Sequence, residues 1–150
     1  MTEGARFEKL GCYLIVERSG SRIKSIRLSS EPPDERSDLA EEIINHVENG
    51  GPSPKIELDL SGFSDFKKNV IITVMGIPRG QTMTYGEVAR MAGSPGAARA
   101  VGMVMASNPY ALVMPCHRVI SKKGLGGYAS GVELKRKLLE LERQGSSTIF

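Results

Sequence analysis

The sequence predicts an α/β protein in two parts: a small α/β domain over residues 1–62, with a three-stranded sheet and one helix, then a mainly helical domain over residues 63–150. Three observations predict it. Two β-rich runs flank Ser19-Gly20-Ser21, a capping-box helix is followed across a glycine by a second helix, and the charge divides at Gly62. Residues 1–62 hold eight Lys/Arg against twelve Asp/Glu, a net of −4, whereas residues 63–150 hold twelve against five, a net of +7. An acidic first half joined to a basic second half points to a polyanion partner for the second. At 150 residues with 40% hydrophobic content, the chain can bury a real core. Its longest apolar run, Val70 to Ile77, is broken by Thr73 and Gly76 and falls short of a membrane span. The N-terminus carries Glu3 and Glu8 and lacks an apolar signal core, so a cytoplasmic protein with no membrane partner is expected. Cys12 and Cys116, with His46 and His117, form neither a disulfide framework nor a metal-ligand spacing. Reduced thiols, no metal and no cofactor are expected.

In the first part, Gly11 to Arg18 and Arg22 to Ser29 read as a β-hairpin, with Tyr13, Ile15, Ile23 and Ile26 facing inward. A helix follows from about Asp38 to Val47, with Leu39, Ile43, Ile44 and Val47 on one face and Asn49-Gly50-Gly51 as its stop. Ile56, Leu58 and Leu60 alternate with Glu57 and Asp59, which predicts the third strand.

In the second part, Ser64 caps a helix whose apolar positions are Phe66, Val70, Ile71 and Val74. Thr84-Tyr85-Gly86-Glu87 is a capping box opening a short helix that Ala92-Gly93 closes. Ser94-Pro95 supplies an N-cap and first-turn proline for a further helix to about Ser107. Two short helices across a tight glycine turn describe a helix-turn-helix. Between Met91 and His117 the only charged residue is Arg99, which shares a helical face with Gly102, Met103 and Ala106 and has Ala97, Ala98 and Ala100 around it. Helices that read the major groove carry several long polar side chains. A thin scaffold with one arginine suits the narrower minor groove, and equally suits a buried Ala/Gly-rich packing helix with one snorkelling arginine.

The stretch Pro115-Cys116-His117-Arg118 holds half of the cysteines and half of the histidines. A thiol is a strong nucleophile only as thiolate, which requires a nearby base and a positive local field. Read as a strand, the stretch would point Cys116 and His117 to opposite faces, so they meet only across a bend, which Pro115 favours, or a water. The plain alternative is a buried structural thiol after the apolar Leu112-Val113-Met114. Ser121-Lys122-Lys123-Gly124 reads as a turn and Leu125 to Gly131 as a glycine-rich loop holding Tyr128. The last helix, about Val132 to Gln144, buries Leu134, Leu138 and Leu141. Glu142 stands at the edge of that stripe, able to reach His117 or to remain an exposed charge. Gly145 to Phe150 reads as a loosely held tail. Arg118, Lys122 and Lys123 are candidate phosphate contacts, and Arg118 equally suits a structural role.

Taken together, Pro-Cys-His-Arg-Val-Ile (115–120), Ala-Ala-Arg-Ala-Val-Gly (97–102), Asn108-Pro109, Thr84-Tyr85 and the Gly-Gly-Tyr loop with its following helix resemble the O6-alkylguanine-DNA alkyltransferase family over residues 63–142. The resemblance implies an RNase H-like N-terminal domain, a winged-helix-like C-terminal domain, and a monomer acting on double-stranded DNA that contains O6-alkylguanine or O4-alkylthymine. It implies Cys116 as alkyl acceptor, His117 as its base through a water, Glu142 orienting the imidazole, and Tyr85 donating to the leaving guanine. It implies Arg99 as the finger replacing a flipped nucleotide on a helix whose Ala98 and Gly102 approach DNA. Asn108 would brace the site turn, the carbonyls of Cys116 and Val119 would read the exocyclic amine, and Tyr128, Ala129 and Ser130 would wall the pocket. Cys12 and His46 cannot reproduce the structural zinc set of animal members. Two rivals remain at this level: a helix-turn-helix regulator with a structural cysteine, and a Cys-His hydrolase, for which His46 is the only distant histidine available.

Overall fold

The computed structural model describes residues 2–146. Strands β1 (Glu3–Phe7), β2 (Cys12–Ser19), β3 (Arg22–Ser29) and β4 (Glu35–Arg36) form one sheet in the order β3-β2-β1-β4. β1 and β3 pair antiparallel with β2, and β4 pairs parallel with β1. The hairpin is β2–β3, turning at Gly20. Ile15, Ile23 and Ile26 are buried as expected, along with Leu14 and Val16, while Tyr13 is half-buried.

The sheet has four strands, and the strand expected at residues 56–60 is reduced to a single parallel bridge between Leu58 and Ile23. Pro52 and Pro54 just before it carry no N–H, which weakens any ladder there. The place beside β2 is taken by β1, whose Glu-Gly-Ala-Arg-Phe has too little alternation to be read from sequence.

Helix α1 (Asp38–Asn49) starts at Ser37, whose hydroxyl accepts from the Ala40 N–H, and ends at Gly50. It packs Ile43, Ile44 and Val47 against β1 and β2. Helix α2 (Asp65–Met75) is capped by Ser64 and buries Val70, Ile71 and Val74. Strand β5 (Met83–Thr84) leads into α3 (Tyr85–Met91), whose capping box is complete: the Glu87 N–H donates to the Thr84 hydroxyl, and Glu87 accepts the Thr84 N–H.

Helix α4 (Ala98–Ala106) begins three residues later than the Ser94-Pro95 signal implies. The Ala97 N–H donates to the Ser94 carbonyl and Gly96 adopts φ +88°, so Pro95-Gly96 makes a turn. A positive φ at that position requires glycine and cannot belong to a helix.

Strand β6 (Val119–Ile120) pairs parallel with β5, and α5 (Val132–Ser146) closes the fold. Gly145 and Ser146, expected in a loose tail, belong to α5, and the rest of that expected tail lies outside the described residues. Buried residues of both halves, among them Phe7, Leu14, Val47, Val70, Val88, Val101 and Leu138, form one contiguous core. Among the described residues, no helix is long and apolar enough to cross a membrane.

Candidate active site

The segment entering the site is held by the N-terminal sheet. The Ile26 N–H donates to the Pro109 carbonyl and the Ala111 N–H to the Ile26 carbonyl, so β3 braces the backbone that leads to Cys116. Leu112, 3% exposed, is held at φ +70°, a conformation rarely taken by a non-glycine residue. Asn108 fixes this turn. Its Oδ1 accepts from the Tyr110 N–H at 2.8 Å, and its Nδ2 donates to the Met114 carbonyl at 2.9 Å and to Cys116 Sγ at 3.1 Å.

Cys116–Arg118 is a single 3-10 turn, not the strand read from the sequence. Pro115 sets it up, and the Arg118 N–H donates back to the Pro115 carbonyl at 2.8 Å. At three residues per turn, successive side chains are no longer on opposite faces. Cys116 and His117 are therefore both buried, at 6% and 0% exposure.

Behind them, His117 Nε2 lies 3.1 Å from Glu142 Oε1. A carboxylate only accepts, so Nε2 carries the proton and Nδ1 is left as the basic nitrogen. Nδ1 is buried without a hydrogen-bond partner. Arg118, open from the sequence between a phosphate contact and a structural residue, is structural: it is 4% exposed and turned inward. Its Nε donates to Glu142 Oε1 at 2.9 Å, its second guanidinium arm to Oε2, and its Nη1 to the Ile77 carbonyl at 2.8 Å. Burial would raise the Glu142 carboxyl, but the hydrogen bonds from His117 and Arg118 outweigh it and hold the pKa down at about 2. Burial lowers His117 against the pull of Glu142, so the imidazole rests neutral. Burial raises the Cys116 thiol, opposed by the Asn108 hydrogen bond and the charge of Lys135. The resting pair is a neutral thiol and a neutral imidazole.

Cys116 opens onto a cavity of about 320 Å³ lined by Tyr85, Gly102, Met105, Ala106, Gly127, Tyr128 and Ala129. Burial keeps the Tyr85 hydroxyl protonated despite a hydrogen bond with the Gly127 backbone. Gly126, at φ +73°, allows this approach, since a Cβ there would lie 2.8 Å from the Tyr85 oxygen. Of the residues named from the sequence, the cavity brings together Cys116, Tyr85, Gly102, Tyr128 and Ala129, with His117, Glu142 and Asn108 behind the sulfur. Ser130 does not line it; Ser130 and the far side of Ala129 face a second cleft beside Cys12 and Leu28. Ala98 and Arg99 lie on α4 outside the cavity, Ala98 half-buried and Arg99 exposed.

Lys135 was not singled out from the sequence. Its side chain is fully buried, and Nζ donates to the Val119 carbonyl at 2.7 Å and the Gly127 carbonyl at 2.9 Å, joining β6 to the loop that walls the cavity. The signal was present in the spacing: Lys135, Leu138 and Glu142 lie three and four residues apart on one face of α5. Among the described residues, no group of three His, Cys, Asp or Glu side chains could hold a metal ion.

Comparison with known proteins gives the family. Residues 65–144 match the model described as "6-O-methylguanine DNA methyltransferase, DNA binding domain". The methylated-DNA–protein-cysteine methyltransferase of Mycobacterium tuberculosis is 52% identical over 89 residues, 59% of this chain and 53% of that protein. The protein of the same name from Methanothermobacter thermautotrophicus is 48% identical over 86 residues, 57% of this chain and 48% of that protein. These alignments span about half the length of the curated relatives. The solved structure of M. tuberculosis OGT in complex with DNA superposes with a TM-score of 0.80 at 35% identity, covering 96% of this chain and 93% of that one. The O6-methylguanine-DNA methyltransferase of Pyrococcus kodakaraensis superposes at 0.76 and 28% identity, covering 95% and 99%. With its family-model match and full-length structural likeness, the chain belongs to the O6-methylguanine-DNA methyltransferase family.

Proposed function

We propose that the protein repairs alkylated DNA by moving the alkyl group of O6-alkylguanine, and of O4-alkylthymine, irreversibly onto its own Cys116, once per molecule. One observation carries the reading: a buried thiol that accepts the Asn108 N–H stands next to a histidine whose tautomer is set by a buried carboxylate, at the end of a cavity sized for a base. A regulator with a structural cysteine has no use for that chain of polar groups.

In the mechanism, Cys116 Sγ attacks the alkyl carbon as its C–O6 bond breaks. The thiol proton passes through a water to His117 Nδ1, and the resulting imidazolium is stabilised by Glu142, whose own charge Arg118 holds in place. The leaving guanine gains negative charge and takes a proton at a ring nitrogen from Tyr85; the Tyr85 oxygen is then reprotonated through solvent as the His117 imidazolium gives up its proton, so the proton lost by the thiol is balanced by the one gained by the base. The product is a thioether, which water does not cleave. The Cys116 and Val119 carbonyls read the exocyclic amine, with Lys135 positioning Val119. Tyr128 and Ala129 wall the site.

The target atom is unreachable inside a duplex, so the nucleotide must be extruded. Helix α4 enters the minor groove with Ala98 and Gly102 close to the sugar-phosphate walls, and Arg99 fills the vacated stack. Residues 1–62 act as an RNase H-like brace and residues 63–150 as a winged-helix-like DNA-binding domain, in a cytoplasmic monomer whose partner is damaged double-stranded DNA. Cys116→Ser tests the reading. A serine hydroxyl is not ionised at neutral pH, so methyl transfer is abolished while duplex binding persists. Retained transfer would refute it.

A further inference from the structure

Helix α4 turns Val101, Val104 and Met105 into the core, yet leaves Met103 at 74% exposure, the highest of the large apolar side chains among the described residues. A single exposed methionine is ordinary on a protein surface, but this position is not. Met103 lies four residues after Arg99 on the same outward face, and its immediate neighbour Gly102 lines the Cys116 cavity. Arg99 is the only charge on the helix, so whatever binds this face meets little but apolar surface. The surrounding half carries a net of +7, which selects a polyanion over an apolar protein partner.

We infer that Met103 is an apolar wedge that enters the minor groove one helical turn from Arg99 and opens the base step flanking the extruded nucleotide. Four residues of helix span about 6 Å, less than two base steps of roughly 3.4 Å each, so both side chains reach neighbouring levels of one stack. Apolar side chains inserted between base steps unstack and kink the duplex, and a flexible, polarizable thioether adapts to whichever base flanks the lesion. Arg99 occupies the gap, and Met103 lowers the cost of opening it. This inference rests on the alkyl-transfer reading above.

The test uses duplexes with 2-aminopurine beside O6-methylguanine, and free O6-benzylguanine as a substrate needing no extrusion. Binding of the unsubstituted protein should raise the 2-aminopurine fluorescence. Met103→Ala should lose most of that rise and lower the ratio of duplex rate to free-base rate roughly tenfold, while Met103→Leu should restore both. Labelling of Cys116 by the free base reports separately that each variant is folded with an intact pocket. A flank signal unchanged in Met103→Ala, or duplex and free-base rates falling together, would overturn the wedge. If the unsubstituted protein labels from neither substrate, the transfer reading fails, while the flank fluorescence still decides whether Met103 unstacks DNA.

Discussion

Replacing Glu142 by glutamine removes one negative charge from a fully buried site on which His117 and Arg118 converge. The carboxyl is held down from an ordinary 4.5 to about 2, and at about 1.4 kcal/mol per pKa unit its neighbours favour the charged form by roughly 3 kcal/mol. Glutamine forfeits that stabilisation and leaves the guanidinium of Arg118, only 4% exposed, without a counter-charge, at a cost of about 3–5 kcal/mol. A domain of typical stability survives this, with Tm lowered by roughly 10 °C. The rate should suffer more. The new amide can turn its NH₂ toward Nε2 and shift the imidazole proton onto Nδ1, blocking the nitrogen that takes the thiol proton, and the imidazolium loses its partner. Single-turnover transfer at neutral pH should fall by about 10²–10⁴-fold. The assay is quenched-flow transfer from methylated duplex, at a temperature where circular dichroism shows the variant folded. Adding Arg118→Met removes the unpaired charge and should recover most of the lost Tm without recovering the rate. A Glu142→Gln protein reacting at the unsubstituted rate, or a double variant that regains it, would refute the reasoning.

Arg99→Ala should lose activity mainly on duplex, roughly tenfold if about 1.4 kcal/mol of compensation for extrusion is lost, and react with free O6-benzylguanine at close to the original rate; equal losses on both would assign Arg99 to the pocket or the fold. Stability should also fall with acid in two windows. His117 is lowered below 6.5 and Glu142 below 4.5 in the folded protein, so the unfolded chain binds more protons at both sites. The His117 contribution is therefore complete above about 6.5 and lost below it, and that of Glu142 is lost as pH falls from about 4.5 toward 2. Urea unfolding against pH checks this, and Glu142→Gln should flatten the lower window.

Where local chemistry decides, the fold was legible. Ser37, Ser64 and the Thr84–Glu87 box start their helices because their oxygens answer free backbone N–H groups within three residues. The β2–β3 hairpin follows from alternation around Gly20. Where long-range contacts decide, it was not. Glu3–Phe7 becomes a strand because β2 offers a free edge, and residues 56–60 miss becoming one because prolines precede them. Helix α4 starts late because Gly96 takes a positive φ. In the candidate site, Cys116, His117 and Glu142 were nameable from residue type and spacing. The inward turn of Arg118 and the burial of Lys135 were not, since each depends on carbonyls brought from other elements: Ile77 in one case, Val119 and Gly127 in the other.

The most direct test of the central claim is the intact mass of the protein after reaction with excess O6-methylguanine duplex, followed by peptide mapping. The account predicts a gain of one methyl group per chain, located on Cys116 with Cys12 unmodified, and one guanine restored within the duplex per protein molecule. Repeated turnover, an unchanged mass, or the methyl group on Cys12 would contradict it.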